Sequence, residues 1–139
     1  MPESVPSPRF ETVRLPDGPD CVAPDGSEIR LLAGSRAGST CHARLAPGQT
    51  ARPVRHRSVD EYWFCLAGRG QLWRSHGDRE EITELRFGVS IDLPRGTSFQ
   101  WRNSGAAPLD VLITTIPPWP GDHEADIASG IWEFGGGVE

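Results

Sequence analysis

Gly48-Gln-Thr-Ala-Arg-Pro-Val54-Arg-His56-Arg-Ser-Val-Asp-Glu61-Tyr-Trp-Phe-Cys-Leu-Ala-Gly68 begins and ends on turn signals, Pro47-Gly48 and Ala67-Gly68. Each pair offers a fixed φ or a residue that tolerates positive φ, as reversals between antiparallel strands require. Between them, strand periodicity puts Glu61, Trp63 and Cys65 on one face and Tyr62, Phe64 and Leu66 on the other. The same alternation groups Val54 with His56. A second stretch, Gly88-Val-Ser-Ile-Asp-Leu-Pro94-Arg-Gly96-Thr-Ser-Phe99-Gln-Trp-Arg-Asn103, groups Phe99 with Trp101 and carries its own turn at Pro94-Arg95-Gly96.

The first stretch resembles the first motif of the cupin family, G-x5-H-x-H-x4-E-x6-G, with Val54 in place of the first histidine. The second is similar to the other cupin motif, G-x5-P-x-G-x2-H-x3-N, with every spacing held and Phe99 in place of the histidine. The resemblance implies an all-β, double-stranded β-helix (jelly-roll) barrel with His56 and Glu61 facing its interior. Val54, Trp63, Phe99 and Trp101 then face it too, and the interior is strongly apolar.

In that family the histidines and glutamate of the two motifs bind a divalent metal. Carried over, the four positions are Val54, His56, Glu61 and Phe99, two of which have no lone pair to offer. A catalytic zinc site keeps three protein ligands, and a non-haem iron site needs two histidines and a carboxylate. One histidine plus one carboxylate falls short of both, so no metal cofactor is expected. A metal-dependent oxygenase or isomerase would need a substitute ligand, for which His42, on an expected strand just before the motif, is the candidate. Cys65 shares the face of Glu61 but lies about 13 Å along the strand, too far to share one ion.

The chain has 139 residues, the size of one domain able to bury a core without metal or disulfide support. Its formal charge is −5, with both signs interspersed, so no nucleic-acid surface is indicated. All 14 basic residues are arginine, which excludes Schiff-base catalysis by lysine. Cys21, Cys41 and Cys65 form neither a disulfide framework nor a zinc knuckle. The N-terminus lacks a basic region followed by an apolar run and no long apolar segment follows, so a cytoplasmic protein without membrane contact is expected.

Sixteen Gly and thirteen Pro divide the chain into short alternating runs, the pattern of an all-β sandwich or barrel. Strands are expected at residues 28–32, 40–46, 61–66, 71–74, 81–85, 90–93, 98–102 and 109–116, with further turns at His76-Gly77-Asp78 and Asn103-Ser104-Gly105. Residues 1–8 read as a proline-rich flexible arm, 9–116 as the barrel and 117–139 as a tail. The prolines of Pro117-Pro-Trp119-Pro cannot continue a ladder. Trp119, Ile127, Ile131, Trp132 and Phe134 give the tail apolar surface to pack on the barrel or a partner subunit; the alternative is a lid over the mouth.

Without a metal, His56 and Glu61 form a candidate acid/base pair, the carboxylate orienting the imidazole by a hydrogen bond while the imidazole takes a proton from substrate. Trp63, Trp73, Phe99 and Trp101 either fill the interior or line a cavity for an apolar ligand, together with Val54. Arg55 and Arg57 alternate with His56 and point away, which leaves Arg52 as the arginine for the cavity mouth. The expected function is therefore binding of a small organic molecule and its isomerisation, elimination or cyclisation by His56 and Glu61. A non-enzymatic binding or sensing barrel is the alternative, and a homodimer is the association that the family resemblance implies.

Overall fold

The computed structural model describes residues 9–134; the expected N-terminal arm, residues 1–8, lies outside them, as do the last five residues of the tail. Eleven strands form in chain order: β1 (Cys21–Val22), β2 (Glu28–Gly34), β3 (Ser39–Leu45), β4 (Val54–His56), β5 (Asp60–Ala67), β6 (Gly70–His76), β7 (Arg79–Leu85), β8 (Ser90–Leu93), β9 (Ser98–Asn103), β10 (Leu109–Ile116) and β11 (Ala125–Ile127). One sheet has the order β1-β2-β3-β10-β5-β8 and the other β11-β4-β9-β6-β7, with antiparallel pairing throughout. This is the expected double-stranded β-helix barrel.

Alternation decides which side chains fill it. On β5, Glu61, Trp63 and Cys65 are buried while Tyr62, Phe64 and Leu66 are exposed. On β10, Leu109, Val111, Ile113 and Thr115 point inward beside them. The lower interior is a continuous apolar core of Ala43, Leu45, Leu72, Leu93, Trp101 and their neighbours, each large side chain contributing about 1.5–3 kcal/mol by leaving water.

All eight expected strands form, with ends displaced by two residues at most. Three more were not expected, namely β1, β4 and β11, each only two or three residues long. Runs this short carry no periodicity of their own and exist because a longer neighbour offers a ladder. At Gly68 the turn requires glycine twice over, since φ is +88° and a Cβ would lie 2.4 Å from the Pro108 carbonyl oxygen. The turn expected at Gly105 works differently: its N–H donates to Asn103 Oδ1 at 2.9 Å, and φ is not positive.

The tail lies against the barrel. β11 pairs with β4 at the edge of the second sheet. The buried Glu124 carboxylate accepts hydrogen bonds from the Ser58 N–H, the Ser58 hydroxyl (2.8 Å) and the Val59 N–H (3.0 Å). Further on, the N–H groups of Ile131 and Trp132 donate to Gln100 Oε1, both at 3.0 Å, and the Trp132 ring lies 4.1 Å from the Arg102 guanidinium. Among the described residues, no helix is long and apolar enough to cross a membrane.

Candidate functional site

The upper part of the barrel is not filled. A cavity of about 450 Å³ lies between the sheets. Val54 and His56 on β4, Phe99 on β9, and Glu61 and Trp63 on β5 form its walls, with Ile113 and Thr115 on β10. The register explains the convergence: Val54 sits opposite Phe99 and Glu61 opposite Thr115, so inward parity on four strands meets at one level. Trp119, from the proline-rich connection after β10, closes one side.

His56 is 7% exposed, and its ring is held edge-on between Phe99 and Trp119, with both centroids 5.1 Å away. Its Nδ1 is buried and, among the described residues, has no hydrogen-bond partner. Glu61 Oε1 lies 3.8 Å from Nδ1, beyond hydrogen-bond reach. The expected hydrogen bond between imidazole and carboxylate does not form; aromatic packing holds the ring, and the Glu61 oxygens accept from other donors. Trp63 Nε1–H donates to Oε1 at 3.1 Å and the Thr115 hydroxyl donates to Oε2 at 2.8 Å.

Burial pushes the Glu61 carboxyl above its ordinary range, outweighing the opposing pull of His56 and of the Trp63 and Thr115 donors, and the nearby Asp25 charge adds to the rise. Asp25 is a second inward carboxyl. It accepts from Trp101 Nε1 at 3.0 Å, the Ser27 N–H at 2.9 Å and the Ser27 hydroxyl at 2.6 Å. Cys41 also faces the cavity, but burial, with the charges of Glu61, Asp25 and Cys21, pushes its thiol up to about 12. It is not a thiolate nucleophile near neutral pH.

Several expected site residues lie elsewhere. His42 is buried on the opposite face of β3, its Nε2 3.5 Å from Asp110 Oδ1, because Cys41 and Ala43 hold the inward parity. It cannot serve as a substitute ligand beside His56. Trp73 sits on the outer face of β6 opposite Gln100 and donates to Glu80 at 2.7 Å, since its neighbour Leu72 takes the inward place against Trp101. Arg52 is exposed over the Phe134 ring at 5.4 Å, not at the mouth. Trp101 faces inward but lies in the core below the cavity, packed on Trp63 at 4.9 Å.

Asp25 and Thr115 were not anticipated, and Trp119 was expected only as apolar tail surface, with a lid over the mouth as the alternative. Thr115 shares the parity of Val111 and Ile113 and was open to the same periodicity reading. Asp25 and Trp119 come from connections, where no local pattern reports direction.

Among the described residues, no group of three His, Cys, Asp or Glu side chains stands where it could hold a metal ion. The inward Val54 and Phe99 occupy the two places where further donors would be needed, so the residues present do not fit a resident divalent metal.

The solved structures that the chain resembles include a recombinant oxalate oxidase in complex with glycolate, 19% identical with a TM-score of 0.67, over 80% of this chain and 61% of that one. An oxalate decarboxylase variant from Bacillus subtilis is 14% identical, with a TM-score of 0.61 over 67% of this chain and 26% of that one. The Drosophila melanogaster CENP-C cupin domain is 16% identical, with a TM-score of 0.58 over 66% of each chain. The chain thus spans only part of the oxidase and the decarboxylase, and at these identities the likeness is one of fold. No curated protein matches. A family model described as Cupin domain matches residues 41–115, more than half of the sequence. With that match, the barrel topology and the retained glycines and spacings of both motifs in agreement, the chain belongs to the cupin family.

Proposed function

We propose that this cupin binds a small organic molecule in the barrel cavity and moves a proton on it without a resident metal, as an isomerase or lyase. His56 serves as base and Glu61 as acid. The observation that carries the reading is the unpartnered Nδ1 of a buried, aromatically clamped histidine beside a carboxyl that burial biases toward its protonated form. A carboxyl biased toward its protonated form beside an imidazole supplies the two partners of paired acid/base chemistry.

In the simplest cycle, neutral His56 accepts a proton at Nδ1 from a carbon next to a substrate carbonyl, and the Glu61 carboxyl donates its proton to the carbonyl oxygen as the enol forms. Imidazolium and carboxylate then stand 3.8 Å apart, where their attraction in a dry cavity stabilises the charge-separated state. Proton return, from His56 to a different carbon and from the enol oxygen to Glu61, completes a tautomerisation. Loss of a leaving group from the carbon next to the enol, with the enol proton returned to Glu61 and the His56 proton passed to the departing group, gives an elimination instead. Phe99 and Trp119 fix the ring, and the apolar walls exclude water.

The test is turnover of candidate carbonyl compounds, followed as solvent deuterium uptake by NMR, with wild type and the His56→Ala and Glu61→Gln variants checked for folding. Exchange that disappears in His56→Ala and falls by about 10²–10⁴-fold in Glu61→Gln supports the assignment. Equal exchange in all three proteins removes both residues from the mechanism.

A further inference from the structure

The polar groups that line this cavity are largely engaged within the protein. The hydroxyls of Ser27, Thr40 and Thr115 donate to Asp25, to the Ala33 carbonyl oxygen and to Glu61 respectively. The Trp63 indole N–H is taken up by Glu61 Oε1, and Ser39 Oγ accepts the Trp119 N–H. Both oxygens of Asp25 accept from Ser27 and Trp101. Among the described residues no arginine lines the cavity, and the chain contains no lysine.

What remains for a ligand is chiefly apolar surface and the two groups assigned to proton transfer. Ile29, Val54, Trp63, Phe99 and Ile113 supply that surface, with Leu31, 56% exposed, at the mouth. The volume, about 450 Å³, lies near the lower end for ligand pockets, so the body enclosed is compact. A carboxylate, phosphate or polyol gives up several strong hydrogen bonds to water on entering. These walls return few of them, and a polar group buried without replacement bonds is costly, a charged one far more so. An anion also approaches the buried Asp25 carboxyl with no cationic side chain on the walls to offset it. A single carbonyl oxygen meets no such deficit, because the Glu61 carboxyl is there to donate to it.

We propose that the substrate is an uncharged, compact ketone or aldehyde whose carbonyl is its only polar group, and that the cavity turns away carboxylates, phosphates and polyols of equal size. The apolar body, aryl or branched alkyl, lies against Val54, Trp63, Phe99 and Ile113. The carbonyl oxygen faces Glu61 and an adjacent C–H faces His56 Nδ1. The inference rests on the acid/base reading of this cavity and adds the class of substrate.

Phe99 stands edge-on to both His56 and Trp63, with centroids 5.1 and 5.7 Å away, so aromatic surface runs from the imidazole to the indole without a polar break. An apolar body laid along it is buried over its length while its carbonyl end stays at the acid/base pair. The selection is made by what the walls lack, and it acts at the binding step. Removing the His56 imidazole leaves the apolar walls and the engaged donors in place, so the preference outlasts the loss of proton transfer.

The experiment uses the full chain and a matched pair, 4-phenylbutan-2-one and 2-oxo-4-phenylbutanoate, which differ by a carboxylate in place of a methyl group. Dihydroxyacetone serves as the uncharged polyol. Affinity is measured by calorimetry, and exchange next to the carbonyl by NMR in deuterated water. Location is read from the His56 ring signals, identified by their loss in His56→Ala. The phenyl ketone is expected to bind at least about tenfold more tightly than either competitor, to move the His56 signals and to exchange. In His56→Ala the preference is expected to persist while exchange is lost. The oxo acid or dihydroxyacetone binding as tightly as the phenyl ketone overturns the substrate class, and leaves the acid/base reading standing where exchange still requires His56. Selective binding of the phenyl ketone without exchange upholds the class of ligand and overturns the acid/base assignment. No binding by any of the three at millimolar concentration overturns the substrate class outright.

Discussion

Replacing Glu61 by glutamine tests the electrostatics of the site without emptying it. Glutamine has the same shape, and both polar neighbours remain satisfiable, because its oxygen accepts from Trp63 Nε1–H while its amide donates to the Thr115 hydroxyl oxygen. What the substitution removes is the titration. Burial raises the Glu61 pKa in the folded state above its unfolded value. The folded chain therefore holds this proton more tightly than the unfolded chain does. The stability gained from that proton is complete below the ordinary glutamate range, about 4.3, and is lost as pH rises through the folded pKa. In that window the wild type loses up to about 1.4 kcal/mol per pH unit relative to Glu61→Gln. The variant is therefore expected to gain on the wild type steadily from pH 4 upward, whatever its constant offset. Guanidinium unfolding of both proteins at matched ionic strength across this range reads the difference directly. A difference that stays flat, or a variant that falls further behind as pH rises, would refute the reasoning, because it would mean that the fold does not raise the Glu61 pKa.

Glu124 carries the opposite sign. Burial alone pushes its pKa up, but the bonds from Ser58 and Val59 outweigh it and leave the carboxyl below its ordinary range, so its contribution is present above that range and is lost as pH falls through the folded pKa. Glu124→Ala is expected to cost about 1–3 kcal/mol and to speed amide exchange at Ala125 to Ile127, while unchanged exchange there would detach Glu124 from the docking of β11. Gly68→Ala combines a positive φ with a backbone clash and should destabilise by about 2–4 kcal/mol, whereas Gly77→Ala, also at positive φ but in open space, should cost about 1 kcal/mol; equal denaturation midpoints would contradict this ordering. Val54→His combined with Phe99→His places two imidazoles at opposed inward positions beside His56 and Glu61, and elemental analysis should then find a divalent metal bound by the double variant. A folded double variant free of metal after incubation with zinc or nickel would show that the donors do not converge.

Much of the barrel was legible in the sequence, and for a definite reason. Turn glycines and period-two alternation are local properties, written within five to ten residues of the strand they describe. They located the eight longer strands and, joined to the cupin resemblance, assigned Val54, His56, Glu61, Trp63, Phe99 and Trp101 to one interior. Locality is also where the reading stopped. Leu72 and Trp73 are adjacent and both apolar, so alternation alone did not say which one faces in; the tertiary structure gave the place to Leu72 because it fits against Trp101. His42 has a strand pattern on both sides, and its direction was decided by Ala43 and Leu45 entering the core.

The sequence by itself determined the fold and the loss of two metal-ligand positions, since both follow from residue types at fixed spacings. Only the tertiary structure decided that Glu61 bonds to Trp63 and Thr115 instead of His56, that Trp119 reaches back to clamp the imidazole, and that Asp25 joins the same cavity. Those contacts join residues on different strands and connections, and their geometry is set by how the two sheets pack, which no single segment of the chain encodes.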